Sequence, residues 1–124
     1  MRAFTLLVMI PAIALAQAFP TDFPAGAVAL ESDALKKRVT GKTFRVKPAD
    51  GVEYEILFQD SHAVVNIFGS RGVVSDSAPW RVEGSATCID FTKLRPGCTE
   101  FRVVGDVLYS KRASNGEVVV MQPK

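Results

Sequence analysis

The chain contains few of the side chains that most often bind metals or carry out catalysis. Among its 124 residues there are 1 His, 2 Cys and 1 Trp. Zinc sites built from imidazole and thiolate ligands need more such groups than one His provides once the cysteines are bonded to each other. We therefore expect no metal site in the monomer and no cofactor.

The chain also lacks a strong excess of either charge. Its 15 Lys and Arg nearly balance 13 Asp and Glu, for a formal net charge of +2 at pH 7. Domains that bind nucleic acid usually carry a marked basic excess, so we expect no nucleic-acid partner. The densest cationic cluster comprises Lys36, Lys37, Arg38, Lys42, Arg45 and Lys47. It is either an ordinary solvated face or a surface for an anionic partner, such as a lipid headgroup, a cell-wall polymer or an acidic protein groove.

Long apolar runs are absent except near the N-terminus. The first residues read MRAFTLLVMIPAIALAQA, with Arg2 before the apolar run and Ala16-Gln17-Ala18 as a small-x-small site. This pattern predicts a secretory signal peptide over residues 1–18, cleaved near Ala18. The mature chain then has 124 − 18 = 106 residues, a formal charge of 14 − 13 = +1 and no transmembrane segment. We expect a periplasmic or secreted protein.

The two cysteines, Cys88 and Cys98, enclose nine residues. Disulfides form and persist in exported proteins, and one pair of cysteines allows a single intramolecular bridge. The spacing differs from the Cys-x-x-Cys motif of redox-active pairs, so we predict a structural disulfide. In the chain-entropy model a loop of this length is worth roughly 2.5 to 3 kcal/mol of stability.

Two segments precede the main body of the chain. Residues 19–31 contain Pro and Gly without periodicity, and we expect an extended N-terminal lead. Residues 32–41, SDALKKRVTG, predict a short helix with Ser32 as its N-cap. Leu35 and Val39 are four residues apart and share one face of that helix, which is too short to be stable unless this face docks on the rest of the protein.

Beyond the helix, apolar residues alternate with polar ones and tight turns separate the segments. In VEYEILF, Glu53 and Glu55 fall on the face opposite Tyr54, and we expect that face to be solvated. Strands are predicted at 43–47, 52–58, 63–68, 72–76, 80–83, 87–91, 100–104, 107–111 and 117–121. They indicate an all-β fold, an antiparallel meander of about 8 short strands that forms a small barrel or curled sheet in a single domain over residues 32–124.

No pattern of residues predicts an active site. TGKT at residues 40–43 lacks the first glycine of a phosphate-binding loop, because Lys36 stands at that position. Asp60, Ser61 and His62 are the residue types of a hydrolase triad, but a triad is assembled from groups brought together in space, and these are consecutive in a tight connection. We therefore expect a protein that is not an enzyme.

Most aromatic residues fall on the predicted strands and should pack inside the barrel. They are Phe44, Tyr54, Phe58, Phe68, Trp80, Phe91, Phe101 and Tyr109. Barrels of about eight strands have interiors that side chains fill or that hold one small ligand. Because the strands are short, we expect the interior to be filled or nearly so, with a ligand pocket lined by aromatic residues as the alternative.

Short motifs give the chain a resemblance to known proteins. GKTF at residues 41–44, WRV at residues 80–82 and the two cysteines lie in the same order as the Gly-x-Thr-aromatic start and the W-x-V…C…C centre of small exported bacterial proteins. The chain resembles these uncharacterised families, or domains of unknown function, over residues 33–110. It is more distantly similar to the calycins, whose first strand begins Gly-x-Trp, with Phe44 at the aromatic position. The resemblance implies an exported β-domain and transfers no binding residues.

These observations predict a non-enzymatic β-barrel that binds a small apolar ligand or a component of the cell envelope. The alternative is a proteinaceous inhibitor or accessory factor of a cell-envelope enzyme such as lysozyme, because small bacterial lysozyme inhibitors resemble this architecture. The surfaces expected to contact a partner are the tip of the disulfide loop and the cationic helix. Their residues are Lys93, Leu94, Arg95, Lys36, Lys37 and Arg38.

Overall fold

The computed structural model describes residues 19–124, so the predicted signal peptide lies outside the described residues. A two-residue strand, β1, at Val28–Ala29 precedes the helix α1 at Ser32–Val39. The remaining strands are β2 (Thr43–Val46), β3 (Tyr54–Phe58), β4 (His62–Gly69), β5 (Gly72–Glu83), β6 (Ala86–Ile89), β7 (Gly97–Val104), β8 (Val107–Lys111) and β9 (Val118–Pro123). No helix within residues 19–124 is long and apolar enough to span a bilayer.

The strands β2 to β9 form a closed antiparallel barrel in which each strand pairs with the next one along the chain. The last strand, β9, returns to β2, where Phe44 lies opposite Pro123 and Arg45 lies opposite Gln122. The short β1 pairs with β7 through Val28, which lies opposite Val103. Closure pairs each strand on both sides and so removes the exposed edges of an open sheet. The all-β meander predicted from the sequence is confirmed.

One long strand replaces two predicted short ones. The sequence predicts strands at 72–76 and 80–83, whereas β5 continues through Pro79. Up to Pro79 this strand pairs with β4, and from Trp80 onward it pairs with β6. Proline has no N–H to donate to a neighbouring strand. Pro79 therefore lies where β5 stops pairing with β4 and begins to pair with β6, a position at which the sheet tolerates the missing hydrogen bond. The Pro79 carbonyl still accepts a hydrogen bond from the Asp90 N–H at 3.1 Å.

Hydrogen bonds fix α1 across one end of the barrel. The expected N-cap is wrong by one position, because Glu31 is the N-cap and Ser32 is the first helical residue. The Ser32 hydroxyl instead donates to the Gly84 carbonyl at 2.9 Å, in the β5–β6 turn. At the other end of the helix, Arg38 Nη2 donates to the Asp106 carbonyl at 2.7 Å, in the β7–β8 turn. We call the end that α1 covers the closed end.

The apolar face of α1 plugs the barrel at the closed end. Leu35 and Val39 are both 0% exposed, as their spacing on one helix face predicts. Beyond them Phe58 makes edge-to-face contacts with Trp80 and Phe101, with ring centroids 5.0 and 6.5 Å apart. Aromatic pairs in this arrangement add to the stabilisation from burial alone. This half of the interior is filled by side chains.

The opposite end of the barrel carries the three longer connections, at 47–53, 90–96 and 112–117, and the tight turn at 70–71. No helix covers this end within the described part of the chain. We call it the open end, and we call residues 90–96 the mouth loop.

The predicted disulfide between Cys88 and Cys98 is present, with an S–S distance of 2.06 Å. The two residues lie directly opposite each other on β6 and β7. The bond therefore ties the two strands together at the base of the mouth loop. It limits how far the loop can separate from the barrel and restricts the unfolded chain as well.

Replacing both cysteines, Cys88→Ala with Cys98→Ala, should lower the free energy of unfolding by about 2 to 3 kcal/mol, because the unfolded chain gains conformational freedom. Urea denaturation at neutral pH measures this difference. Wild-type protein kept reduced serves as the control and should match the variant. Equal stability of the oxidised wild type and the variant would contradict the structural role of the bond.

A cavity at the open end of the barrel

The open end of the barrel encloses a cavity of about 290 Å³. Its apolar wall is formed by Ile56, Phe58, Val65, Ile67, Ile89, Phe91, Leu94, Phe101, Ala113 and Met121. Its polar wall is formed by Tyr54, Thr87, Thr99, Ser110, Ser114, Arg95 and Arg112. The expectation of a filled interior therefore holds for the closed half of the barrel, and the alternative of a pocket with aromatic lining holds for the open half.

Small side chains on three neighbouring strands create the cavity. Thr87 on β6 and Thr99 on β7 lie directly opposite each other, and Ser110 on β8 lies opposite Phe101. These positions face the interior, where larger residues would fill the space between the strands. The Ser110 hydroxyl donates to Met121 Sδ at 3.2 Å, a weak acceptor, so the cavity wall keeps hydrogen-bonding capacity. In the sequence, the cavity is indicated by these three small polar residues, which occupy inward positions of consecutive strands.

A buried carboxylate holds the mouth loop in place. Asp76 on β5 is 6% exposed, and its Oδ2 accepts backbone hydrogen bonds from Thr92, Lys93 and Leu94 at 3.1, 2.9 and 3.1 Å. Its Oδ1 accepts a further bond from the Ser77 N–H at 2.9 Å. Nothing in the sequence pattern distinguishes Asp76 from the other acidic residues of the strands. Consecutive N–H groups that converge on one oxygen form an anion nest, here filled by the protein's own side chain.

These hydrogen bonds also set the charge state of Asp76. The N–H groups directed at it, that of Leu94 foremost, lower the pKa of the carboxyl below its ordinary value, and burial opposes part of the shift. The carboxylate is therefore ionised at neutral pH and accepts all of these bonds. With the disulfide at its base and Asp76 at its middle, the mouth loop is fixed at two places. Its residues Phe91 and Leu94 complete the cavity wall.

Two arginines bring positive charge to the cavity. The Nη1 atom of Arg112 lies 3.3 Å from Glu117 Oε1 and 3.8 Å from Asp50 Oδ2. Glu117 is 4% exposed, and its Oε2 accepts the N–H of Ala49 at 3.0 Å. Arg95, on the mouth loop, forms no ion pair with any residue of 19–124. One guanidinium is thus held by carboxylates, and the other is free to meet a ligand.

Tyr54 offers a neutral hydroxyl on the cavity wall. Burial raises the pKa of the Tyr54 phenol above its ordinary value, and the positive charge of Arg112 opposes part of this shift. The Arg112 guanidinium lies 5.8 Å from the centre of the Tyr54 ring. The positive charge of Arg112 therefore lies beside the Tyr54 ring on the cavity wall.

The residues expected to contact a partner lie at both ends of the barrel. Lys93, Leu94 and Arg95 belong to the mouth loop at the open end, where Leu94 and Arg95 line the cavity. Lys36 and Lys37 are exposed on α1 at the closed end, beside Arg38, whose hydrogen bond to the β7–β8 turn is described above. The fold therefore separates the two groups and does not form one cationic surface from them.

The expectation that Glu55 lies on a solvated face is wrong. Glu55 faces outward as predicted but is 8% exposed, because Arg45 at 3.2 Å and Lys124 at 2.9 Å cover its carboxylate.

The residues Asp60, Ser61 and His62 do not form a hydrogen-bonded triad in the described residues. The Ser61 hydroxyl lies 3.0 Å from Nδ1 of His62, both of them exposed. In the described residues no hydrogen bond joins Asp60 to this pair.

The acidic residue Glu83 lies beside the disulfide. One carboxylate oxygen of Glu83 lies within 4.8 Å of the sulfurs of Cys88 and Cys98. Metal binding by cysteine requires a thiolate, and both of these sulfurs are bonded to each other. This group of residues therefore does not form a metal site while the disulfide is intact.

Comparisons with protein-family models, with curated proteins and with solved structures found no match to this chain. The resemblance to exported bacterial families and to calycins stays a prediction from the sequence. What the cavity can bind follows from its own residues.

Replacing Asp76 by Asn should loosen the mouth loop, because the amide is uncharged and its NH₂ group opposes the loop N–H groups. We expect hydrogen exchange of the Thr92, Lys93 and Leu94 amides to become faster by on the order of tenfold at pH 7. Exchange measured by NMR checks this result. Asp60→Asn removes an exposed carboxylate at the closed end and should leave these amides unchanged.

The same carboxylate predicts a dependence of stability on pH. A carboxyl whose folded pKa is lowered stabilises the fold above its unfolded pKa, about 3.9, and this contribution is lost as the pH falls through the folded value. The stability difference between wild type and Asp76→Asn should therefore be full at pH 7 and shrink below about pH 4. A difference that stays constant down to pH 2 would show that ionised Asp76 does not hold the loop.

Proposed function

We propose that this protein is a non-enzymatic binding protein that holds a small, largely apolar molecule in the cavity at the open end. The observation that carries the proposal is the cavity itself, which combines apolar walls with a few polar groups. Ligand sites in proteins usually have this composition, with the polar groups fixing the orientation of the ligand. The plug formed by α1 leaves the open end as the route of entry.

The volume of the cavity limits the size of the ligand. Its volume of about 290 Å³ lies near the lower end of the range for ligand pockets, roughly 300 to 1,000 Å³. A water molecule occupies about 30 Å³ of liquid, so the cavity has room for about ten groups of that size. A ligand of about ten non-hydrogen atoms inside the barrel fits, and a longer one must project through the mouth.

The expected cellular setting is compatible with this role. The N-terminal sequence predicts export to the periplasm or beyond the cell, and the disulfide fits an oxidising compartment. The disulfide then keeps the mouth loop in position outside the reducing cytoplasm.

A second candidate function rests on the mouth loop alone. The disulfide and Asp76 fix its backbone, while Lys93 and Arg95 stay exposed at its tip. A loop that is ordered before binding loses little conformational entropy when it enters a groove of another protein. The chain is then an inhibitor or accessory factor of a cell-envelope enzyme such as lysozyme.

The ligand-binding proposal is tested with N-phenyl-1-naphthylamine, a neutral probe whose fluorescence rises in apolar surroundings. Its naphthyl group, of about ten carbons, matches the volume of the cavity, and its phenyl group then projects through the mouth. The wild type should bind it, and Thr99→Phe should weaken binding at least about tenfold by filling the cavity. Ser77→Phe adds the same side chain on the exposed outer face of β5 and should bind like wild type. No binding by the wild type, or equal binding by both variants, would contradict the proposal.

The inhibitor candidate makes a separate prediction. Stoichiometric addition of the protein should slow hydrolysis of a cell-wall suspension by lysozyme, and the exchange Lys93→Glu should reduce this inhibition at least about fivefold through charge reversal. The same exchange should leave probe binding unchanged, because Lys93 does not line the cavity. Uninhibited hydrolysis in a molar excess of wild-type protein would rule out this enzyme as the target.

A further inference from the structure

The charged residues on the cavity wall all have the same sign. They are Arg95 and Arg112, and no Asp or Glu of residues 19–124 lines the cavity. A guanidinium group at the mouth stabilises an anion more than a neutral molecule, because hydrogen bonds between opposite charges are the stronger ones. The charge on the cavity wall thus bears on the chemistry of the ligand, given the proposed function on which this inference rests.

The nearby carboxylates do not neutralise Arg95. Asp76 faces the backbone N–H groups of the mouth loop, and both of its oxygens accept hydrogen bonds there. Glu117 and Asp50 lie within 4 Å of Arg112 and form no ion pair with Arg95. The N–H donors of the Arg95 guanidinium are thus available to a ligand. The backbone just before Arg95 is held in place, because the N–H groups of residues 92–94 donate to Asp76.

The two parts of the cavity differ in polarity. Deep in the barrel the wall consists of side chains such as Ile56, Ile89, Phe101 and Met121, while the guanidinium groups belong to the loops at the mouth. An apolar chain is stabilised by burial in the first part, and an anion is stabilised by the second. Planar guanidinium groups bind carboxylate, phosphate or sulfate oxygens through paired N–H donors.

We infer that the cavity binds a single-chain amphiphile with an anionic head, its chain in the barrel and its head at Arg95, with Arg112 alongside. The low dielectric of the apolar wall strengthens the attraction between the head and the Arg95 guanidinium compared with the same pair in water. An anionic lipid fragment and a free fatty acid share this chemistry. The chain length is limited by the volume of the cavity to about ten carbons.

Three ligands with the same chain and different heads test the inference. Decanoate, decanol and decylammonium compete with N-phenyl-1-naphthylamine for the wild-type protein at pH 7.5 and low salt. Decanoate should displace the probe at a concentration about tenfold lower than decanol, with decylammonium weakest. Addition of 0.5 M NaCl should weaken decanoate and leave decanol unchanged, because salt screens the charged contact alone.

Variants of the mouth loop locate the contact with the head. Arg95→Gln should weaken decanoate about tenfold and change decanol by less than about twofold, and Arg95→Lys should restore part of the affinity by returning the charge. Lys93→Gln is the matched control, since it removes a cation from the same loop but not from the cavity wall. It should leave both affinities within about twofold of wild type.

The outcomes separate this inference from the proposed function. Equal displacement by the three ligands, or equal effects of Arg95→Gln and Lys93→Gln on decanoate, would overturn the anionic head while leaving the apolar cavity as a binding site. If neither the probe nor any of the three ligands binds, the proposed function fails as well. Decyl phosphate that binds as tightly as decanoate would support the inference, because the two heads share only their negative charge and oxygen acceptors.

Discussion

Closing a meander into a barrel pairs every strand on both sides but leaves two ends. How each end is covered determines where this barrel is filled and where it has a cavity. Inward side chains near an end are exposed unless another element covers them. At one end α1 covers them with Leu35 and Val39, which are completely buried. At the other end the mouth loop closes only part of the opening. A filled core and a cavity thus occur in the same small barrel.

The two ends are covered by different kinds of interaction. Burial of Leu35 and Val39 holds the apolar face of α1 against the barrel, and hydrogen bonds from Ser32 and Arg38 hold its two ends. The mouth loop has no helix or strand to satisfy its N–H groups, and buried N–H groups need acceptors. Asp76 provides the acceptor from inside the barrel. The loop is therefore held at the rim, and the space beneath it stays open.

The sequence contains enough information for most of the fold and for little of the site. Alternation of apolar residues and turn pairs predicted the strands, and the export context predicted the bond between Cys88 and Cys98. The continuity of β5 through Pro79 was not predictable, because it depends on which strand pairs with each half. The cavity depends on small residues that become neighbours only across β6, β7 and β8. An inward carboxylate such as Asp76 looks like any other strand acid until the loop above it is placed.

Occupation of the open end is the central claim, and intermolecular NOEs test it most directly. Protein labelled at its methyl groups is saturated with N-phenyl-1-naphthylamine, and NOEs from the probe are assigned. Contacts with Ile56, Ile89 and Met121, which line the cavity, and none with Leu35 at the closed end, are the predicted result. Contacts confined to α1 or to the outer face of the barrel, with the probe bound, would contradict it.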